Sequence, residues 1–187
     1  MQRSFHLKLA KWYWEKQLRQ GDVAIDATAG NGHDTLFLAQ LGLSSLFSLD
    51  IQHSAIQKTE ALLKENLTEQ EFEKVTLCQR SHDDLKKISL SKAPNLIVYN
   101  LGYLPGGDKN IHTRVESTLS SVQSALSILD GKGALSITCY PGHEEGMKEE
   151  RELLRFKAAL STEKWETIHH FRPNRPQSPS LLWICKR

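Results

Sequence analysis

The sequence lacks several things, and each absence narrows the field. No apolar run approaches the ~20 residues that a bilayer-spanning helix needs. The first segment, MQRSFHLKLAKWYWEKQLRQGD, has no apolar h-region and no small-residue cleavage site, so no secretory signal is expected. A cytoplasmic location and no membrane partner are expected. Cysteine is scarce: Cys78, Cys139 and Cys185 are odd in number and far apart, each in an apolar, strand-like run. Metal ligands would cluster at short spacing, so buried free thiols and no metal site are expected. There is no internal repeat, low-complexity tract or Pro/Gly/Ser-rich linker, which predicts a single domain over 1–187. Charge of one sign is also missing. The net charge of +2 neither demands nor excludes nucleic acid, because a local basic patch matters more than the sum.

What is present is an alternation. Hydrophobic content is 39% and charged content 25%, ordinary for a globular chain. Residues 4–19 read as an amphipathic helix with Phe5, Leu9, Trp12 and Tyr13 on one face, packing on the sheet. GDVAIDAT reads as a strand and HDTLFLAQLG as a helix stopped by Gly42. SLFSLDI is a strand, and SAIQKTEALLKENL a helix with Ser54 as N-cap. KVTLCQ and NLIVYNLGY are strands, HTRVESTLSSVQSALSIL a helix, GALSITCY a strand and 143–160 a helix. WETIHHFR and SLLWICKR are the last two strands, joined by the polar loop PNRPQSP without a helix. Alternating strands and helices predict a mostly parallel sheet covered on both faces. The helix-free last connection predicts an antiparallel hairpin. Seven strands ending in such a hairpin resemble the Rossmann-like class I fold of S-adenosylmethionine-dependent methyltransferases, an α/β architecture.

The loop DATAGNGHDT ends the first strand, where ligands bind in a doubly wound sheet. Gly30 and Gly32, with Thr28 and Asn31 before and between them, let backbone approach a ligand without Cβ atoms in the way. Asp34 and Thr35 open the following helix. The fingerprint G-x-G-x-x-G is absent: no third glycine packs a helix close for a pyrophosphate. Asp26 at the strand end repels a pyrophosphate and suits a ligand carrying an ammonium group. Asp50 ends the second strand, where an acid accepts ribose hydroxyls. Ile51, followed by Gln52, is placed to cover an adenine face, and Ser81 and His82 after the third strand to reach its rim. These residues together predict S-adenosylmethionine as cofactor.

Asn100, Leu101, Gly102 and Tyr103 follow the fourth strand. This Asn-Leu-Gly-Tyr run resembles the Asn-Pro-Pro-Tyr motif of methyltransferases that act on exocyclic amino groups, with Gly102 in place of the second proline. Methyl transfer from sulfur needs a nitrogen lone pair aligned behind the methyl. The Asn100 side-chain oxygen and the Leu101 carbonyl can accept hydrogen bonds from an amine and aim its lone pair. Tyr103 can pack against a base.

DATAGNGHDT, NLGYLPGGDK, HTRVESTLSSVQSAL and YPGHEEGMKE, in that order, resemble a family described as rRNA methylases. The resemblance runs from about residue 20 to the end. Its members include tRNA wobble-uridine methyltransferases of Gram-positive bacteria. It implies conversion of 5-aminomethyl-2-thiouridine to the 5-methylaminomethyl form, a tRNA anticodon stem-loop as partner, and a homodimer. The substrate amine has a pKa of roughly 10 in water, so the site must hold it neutral; desolvation achieves that. Asp34 and His143 are the candidates for a general base. Arg172, Asn174 and Arg175, in the aromatic-flanked run HHFRPNRP, suit phosphates and splayed-out bases. His143 in YPGHEEG is placed at the same edge. The competing readings are an N-methyltransferase acting on rRNA or a small amine, and a non-catalytic RNA- or cofactor-binding module.

Overall fold

The computed structural model describes residues 5–102 and 113–187. Tyr103 and the LPGGDK run lie outside the described residues. The elements are α1 Phe5–Gln17, β1 Val23–Asp26, α2 His33–Ala39, β2 Ser45–Asp50, α3 His53–Asn66, α4 Glu69–Phe72, β3 Val75–Gln79, β4 Leu96–Asn100, α5 Val115–Ile128, β5 Ala134–Cys139, α6 Glu144–Ala158, β6 Trp165–His170 and β7 Ser180–Lys186, with a 3-10 helix at His82–Lys87.

The seven strands form one sheet in the order β3-β2-β1-β4-β5-β7-β6. β1 to β5 are parallel, and β7 slots antiparallel between β5 and β6. Strand order reverses between β1 and β4, so the loops leaving these two strands diverge and open a crevice at their carboxyl ends. Cys139 of β5 pairs with Ser180 of β7, which brings the β6–β7 loop to that same edge.

Successive strand side chains point to opposite faces, and the apolar strands are split accordingly. Ile25, Ile97, Tyr99, Leu135, Ile137 and Leu182 pack with Val122 of α5 and Leu153 of α6. Ala24, Leu96, Val98, Ala134, Leu181 and Trp183 pack with Ala10 and Trp14 of α1 and Leu38 of α2. Burying a side chain of Leu or Ile size stabilises by roughly 1.5–3 kcal/mol. Near-continuous apolar strands therefore follow from having helices on both faces.

Local structure departs from expectation in five places. On α1 the deeply buried residues are His6, Ala10 and Trp14, whereas Phe5 and Trp12 are exposed. The stripe Phe5–Leu9–Tyr13 instead turns toward the β6–β7 hairpin: Tyr13 donates to or accepts from His170 Nε2 at 2.8 Å and lies 4.7 Å from the Trp183 ring. Ser54 is not an N-cap, because α3 begins at His53 and its N-cap is Gln52, two residues before Ser54. Its turn is held by Asp50, whose carboxylate accepts the Gln52 N–H at 2.9 Å. Gly42 does not stop α2, which ends at Ala39. With φ of 73° it reverses the chain toward β2, and its carbonyl accepts the Gly21 N–H. The short α4 has no counterpart in the sequence reading, although Thr68 and Glu71 form a capping box there. Of the cysteines only Cys139 is buried; Cys78 and Cys185 are half-buried, and all three are free thiols. Among the described residues no helix is long and apolar enough to cross a membrane, and no cluster of His, Cys, Asp or Glu is arranged to hold a metal ion.

Candidate active site

The loop after β1 is held from below and from the side by two acids. Asp26 is 1% exposed. Its carboxyl accepts the Thr28 N–H at 3.1 Å and the Thr35 hydroxyl at 2.7 Å, and Thr35 in turn lies 2.8 Å from the Ser48 hydroxyl. Burial first, then the neighbouring Asp34 carboxylate, pushes its pKa up to about 7 against the opposing hydrogen bonds. Asp26 thus shapes the loop from beneath. Asp50 works from the side: one oxygen accepts the Gly30 N–H at 2.9 Å while the other takes Gln52. A carboxylate oxygen has more than one lone pair, so Asp50 retains acceptor capacity for a ligand.

The glycines have different duties. Gly30 (φ 57°) and Gly32 (φ 81°) are both left-handed. A Cβ on Gly32 would meet the Thr59 Cα of α3 at 2.9 Å, so this glycine lets α2 and α3 approach. The site's fit to an adenosyl group rests on three residues beside this loop. Ile51 is exposed at 60% next to Asp50, an apolar surface suited to a base. Burial holds the His82 imidazole below the usual range, with Asp83 and then Asp50 opposing. Its Nδ1 atom is buried with no hydrogen-bond partner among the described residues. Ser81 precedes the 3-10 helix as its N-cap without a side-chain cap bond.

Across the crevice, β4 brings Asn100 against the same loop. The Asn100 N–H donates to Thr28 Oγ1 at 2.7 Å, and its side-chain Nδ2 donates to Asp34 Oδ2 at 3.1 Å. Leu101 is buried and donates its N–H to the Thr138 carbonyl at 3.0 Å. Gly102, at φ 112°, is clasped to Thr113 in both directions, N–H to Oγ1 at 2.9 Å and carbonyl to N–H at 3.0 Å. The buried Glu149 of α6 accepts the hydroxyls of Thr113 and Thr118 at 2.9 and 2.6 Å.

Three residues that the sequence reading missed complete this half. Lys11 of α1 places Nζ 3.5 Å from Asp34 Oδ1, both side chains being 14% exposed. The Tyr140 phenol follows β5 and lies beside Asn100; burial, then Asp34, pushes its pKa up to about 12, with Asn100 opposing. His6 Nε2 lies 3.3 Å from the Tyr140 hydroxyl. Burial, then Arg172, holds His6 down to about 4, with Asp34 opposing, so the imidazole is neutral at pH 7. A His-x-x-x-x-Lys pair in an N-terminal helix carries no motif, and only the fold brings it here.

The remaining candidates divide. His143 is the N-cap of α6, its Nδ1 accepting the Gly146 N–H at 3.1 Å. Arg172, Asn174 and Arg175 are exposed in the β6–β7 loop, which folds into two successive turns (Arg175 N–H to Arg172 O, Ser178 N–H to Arg175 O, both 2.9 Å). Arg172 lies 5.5 Å from the Phe5 ring of α1.

Residues 46–186 match the family model described as "Putative rRNA methylase". A curated relative from Arabidopsis thaliana, the chloroplastic tRNA (mnm(5)s(2)U34)-methyltransferase, is 34% identical over 96% of this chain and 69% of its own length. Two solved structures superpose over nearly the whole of both chains. One is described as "putative rRNA-methylase from Clostridium thermocellum", with TM-score 0.91, 30% identity and 100% of each chain covered. The other is described as a "putative methyltransferase from Streptococcus mutans in complex with SAH", with TM-score 0.87, 28% identity and 98% and 99% covered. Sheet order, crevice and sequence thus agree, and the chain belongs to the rRNA methylase family of S-adenosylmethionine-dependent methyltransferases.

Proposed function

We propose that this protein methylates tRNA, converting wobble 5-aminomethyl-2-thiouridine to its 5-methylaminomethyl form. The observation that carries this reading is the fixed Asn100 amide at the mouth of the crevice. Its Nδ2 is committed to Asp34, which sets the amide plane and keeps a lone pair of Oδ1 for an incoming amine. With the Leu101 carbonyl it supplies two acceptors that orient the third direction of the nitrogen, its lone pair. S-adenosylmethionine supplies an electrophilic methyl on a sulfonium sulfur. Gly30, Asn31 and Gly32 are proposed to line its backbone cradle, with Asp50 and Gln52 at the ribose, Ile51 and His82 at the adenine, and Ser81 at the rim.

The amine must arrive neutral, and the surroundings favour that. A lone carboxylate near the nitrogen would stabilise ammonium. Here Lys11 beside Asp34 offsets that charge. The nitrogen attacks the methyl carbon, the carbon–sulfur bond breaks, and the secondary ammonium product then loses a proton. That proton is proposed to leave to water, because His6, held down to about 4, is too weak a base to take it. His143, Arg172, Asn174 and Arg175 are proposed as RNA contacts at the crevice edge, and Tyr103 as part of the substrate wall.

The name of the Arabidopsis relative supports a tRNA substrate with a wobble uridine. The test compares tRNA bearing 5-aminomethyl-2-thiouridine with the same transcript unmodified, each incubated with labelled S-adenosylmethionine. Label is expected only in the first. Equal labelling of both would overturn the amine reading, and labelling of rRNA alone would move the substrate to rRNA.

A further inference from the structure

We infer that the groove between α1 and the β6–β7 hairpin is a stacking platform for an unpaired nucleotide beside the target base. The proposal rests on the tRNA reading above and names the surface that reading requires. The groove is lined by Phe5, His6, His169, His170, Phe171 and Arg172, among others. It adjoins the crevice through one residue: His6 lines the groove and also contacts Tyr140, which lies beside Asn100. Whatever occupies the groove therefore lies one side chain away from the candidate site of methyl transfer.

Three observations identify the occupant. First, Phe5 and Phe171 are 60% and 58% exposed, and they flank the groove. Large aromatic rings left in water at a crevice mouth are unfavourable unless something covers them. Second, the rings come with planar polar groups in stacking positions. Phe171 is stacked on His169 at 5.1 Å and 20°, and the Arg172 guanidinium lies over Phe5. Arg175 follows on the same loop. Alternating aromatic faces and guanidinium groups suit a splayed base and its phosphate. A purely apolar peptide would leave Arg172 without a counter-charge. Third, the groove's walls are tied at the back by Tyr13 to His170, so the platform is built before a ligand arrives. Unpaired loop bases can be splayed in this way, whereas bases within a helical stem cannot.

The test uses the full chain and a fluorescein-labelled anticodon stem-loop RNA, with anisotropy as the readout. Phe171→Ala, Phe5→Ala and Arg172→Ala are compared with Arg155→Ala, an exposed residue of α6 paired with Glu152. Each groove variant is expected to weaken RNA binding about tenfold, and Arg172→Ala to lower the salt slope by about one. Arg155→Ala should bind as the parent does, and SAH affinity should be unchanged throughout. RNA affinity unchanged in the groove variants would overturn the proposal. A changed light-scattering mass with unchanged RNA affinity would also overturn it, assigning the groove to a second copy of the chain. The two readings fail separately. If the parent binds RNA through the groove but transfers no methyl to tRNA, the reaction falls and the surface stands. If it methylates tRNA while the groove variants bind normally, the surface falls alone.

Discussion

The two halves of the crevice are built by different means. On the β1–β2 side the contacts are short in sequence and made largely by backbone. Asp26 holds Thr28 two residues on, Asp50 holds Gln52 two residues on, and Asp50 reaches Gly30 across a separation of 20. On the β4–β5 side the contacts are made by side chains and span the chain. Asn100 meets Asp34 across 66 residues, His6 meets Tyr140 across 134, and Tyr13 meets His170 across 157. The first half can be formed by two strand–loop–helix units alone. The second exists only once α1 and the C-terminal hairpin have docked. The difference suits the duties proposed for them: a cofactor shared across a fold class can be met by a local loop, while a particular substrate needs a wall assembled from distant parts.

The sharpest way to separate the halves is Asn100→Ala. It should lower kcat by about 10²-fold while SAH affinity, measured by calorimetry, stays near that of the parent. Loss of SAH binding with normal turnover per bound cofactor would move Asn100 into the cofactor half. Asp50→Ala should do the reverse. It removes a charged acceptor, so cofactor affinity should fall by about tenfold or more, with kcat at saturating cofactor largely kept. A smaller effect is expected at the joint between the halves. Asp34→Ala frees the Asn100 amide to rotate and should lower kcat roughly fivefold, the worth of one hydrogen bond of ~1 kcal/mol. Asp34→Asn, which still offers an oxygen to Asn100 Nδ2, should restore most of it. Failure of this rescue would show that the charge, and not the amide's orientation, matters.

A further comparison is stability against pH, where the halves should differ in sign. Asp26 has its pKa raised to about 7 in the fold. It binds its proton more tightly folded than unfolded, so its stabilising contribution is full below about pH 4 and is lost as pH rises toward 7. His6 is lowered to about 4, so stability is lost as pH falls from 6.5 toward 4. Asp26→Asn should flatten the decline between pH 4 and 7 in a series of Tm measurements, and His6→Gln should flatten the opposite one. An unchanged slope in Asp26→Asn would show that its carboxyl is not the buried acid described above.

The same contrast explains what could be read from the sequence. Strand and helix order was legible because apolar periodicity changes with each element. The loop proposed for the cofactor could be picked out because Gly30, Gly32 and Asp50 stand at fixed places relative to strand ends. The face of α1 was misread by one position: Phe5, Leu9 and Tyr13 fit a helical stripe as well as His6, Ala10 and Trp14 do, and only docking decides between them. Lys11, His6 and Tyr140 were invisible for the same reason. Asp26 was recognised as important for its place, and in the fold its carboxyl also supports the loop through Thr28 and Thr35. His143 shows the converse: a histidine at a strand–helix junction caps the helix it opens.

The most direct test of the account is the chemical identity of the product. The protein should be incubated with S-adenosylmethionine and tRNA from a strain lacking its own copy of this enzyme, and the digested nucleosides identified by mass. The account predicts that 5-aminomethyl-2-thiouridine gains one methyl on its side-chain nitrogen. A methyl on any other nucleoside, with 5-aminomethyl-2-thiouridine left intact, would contradict it.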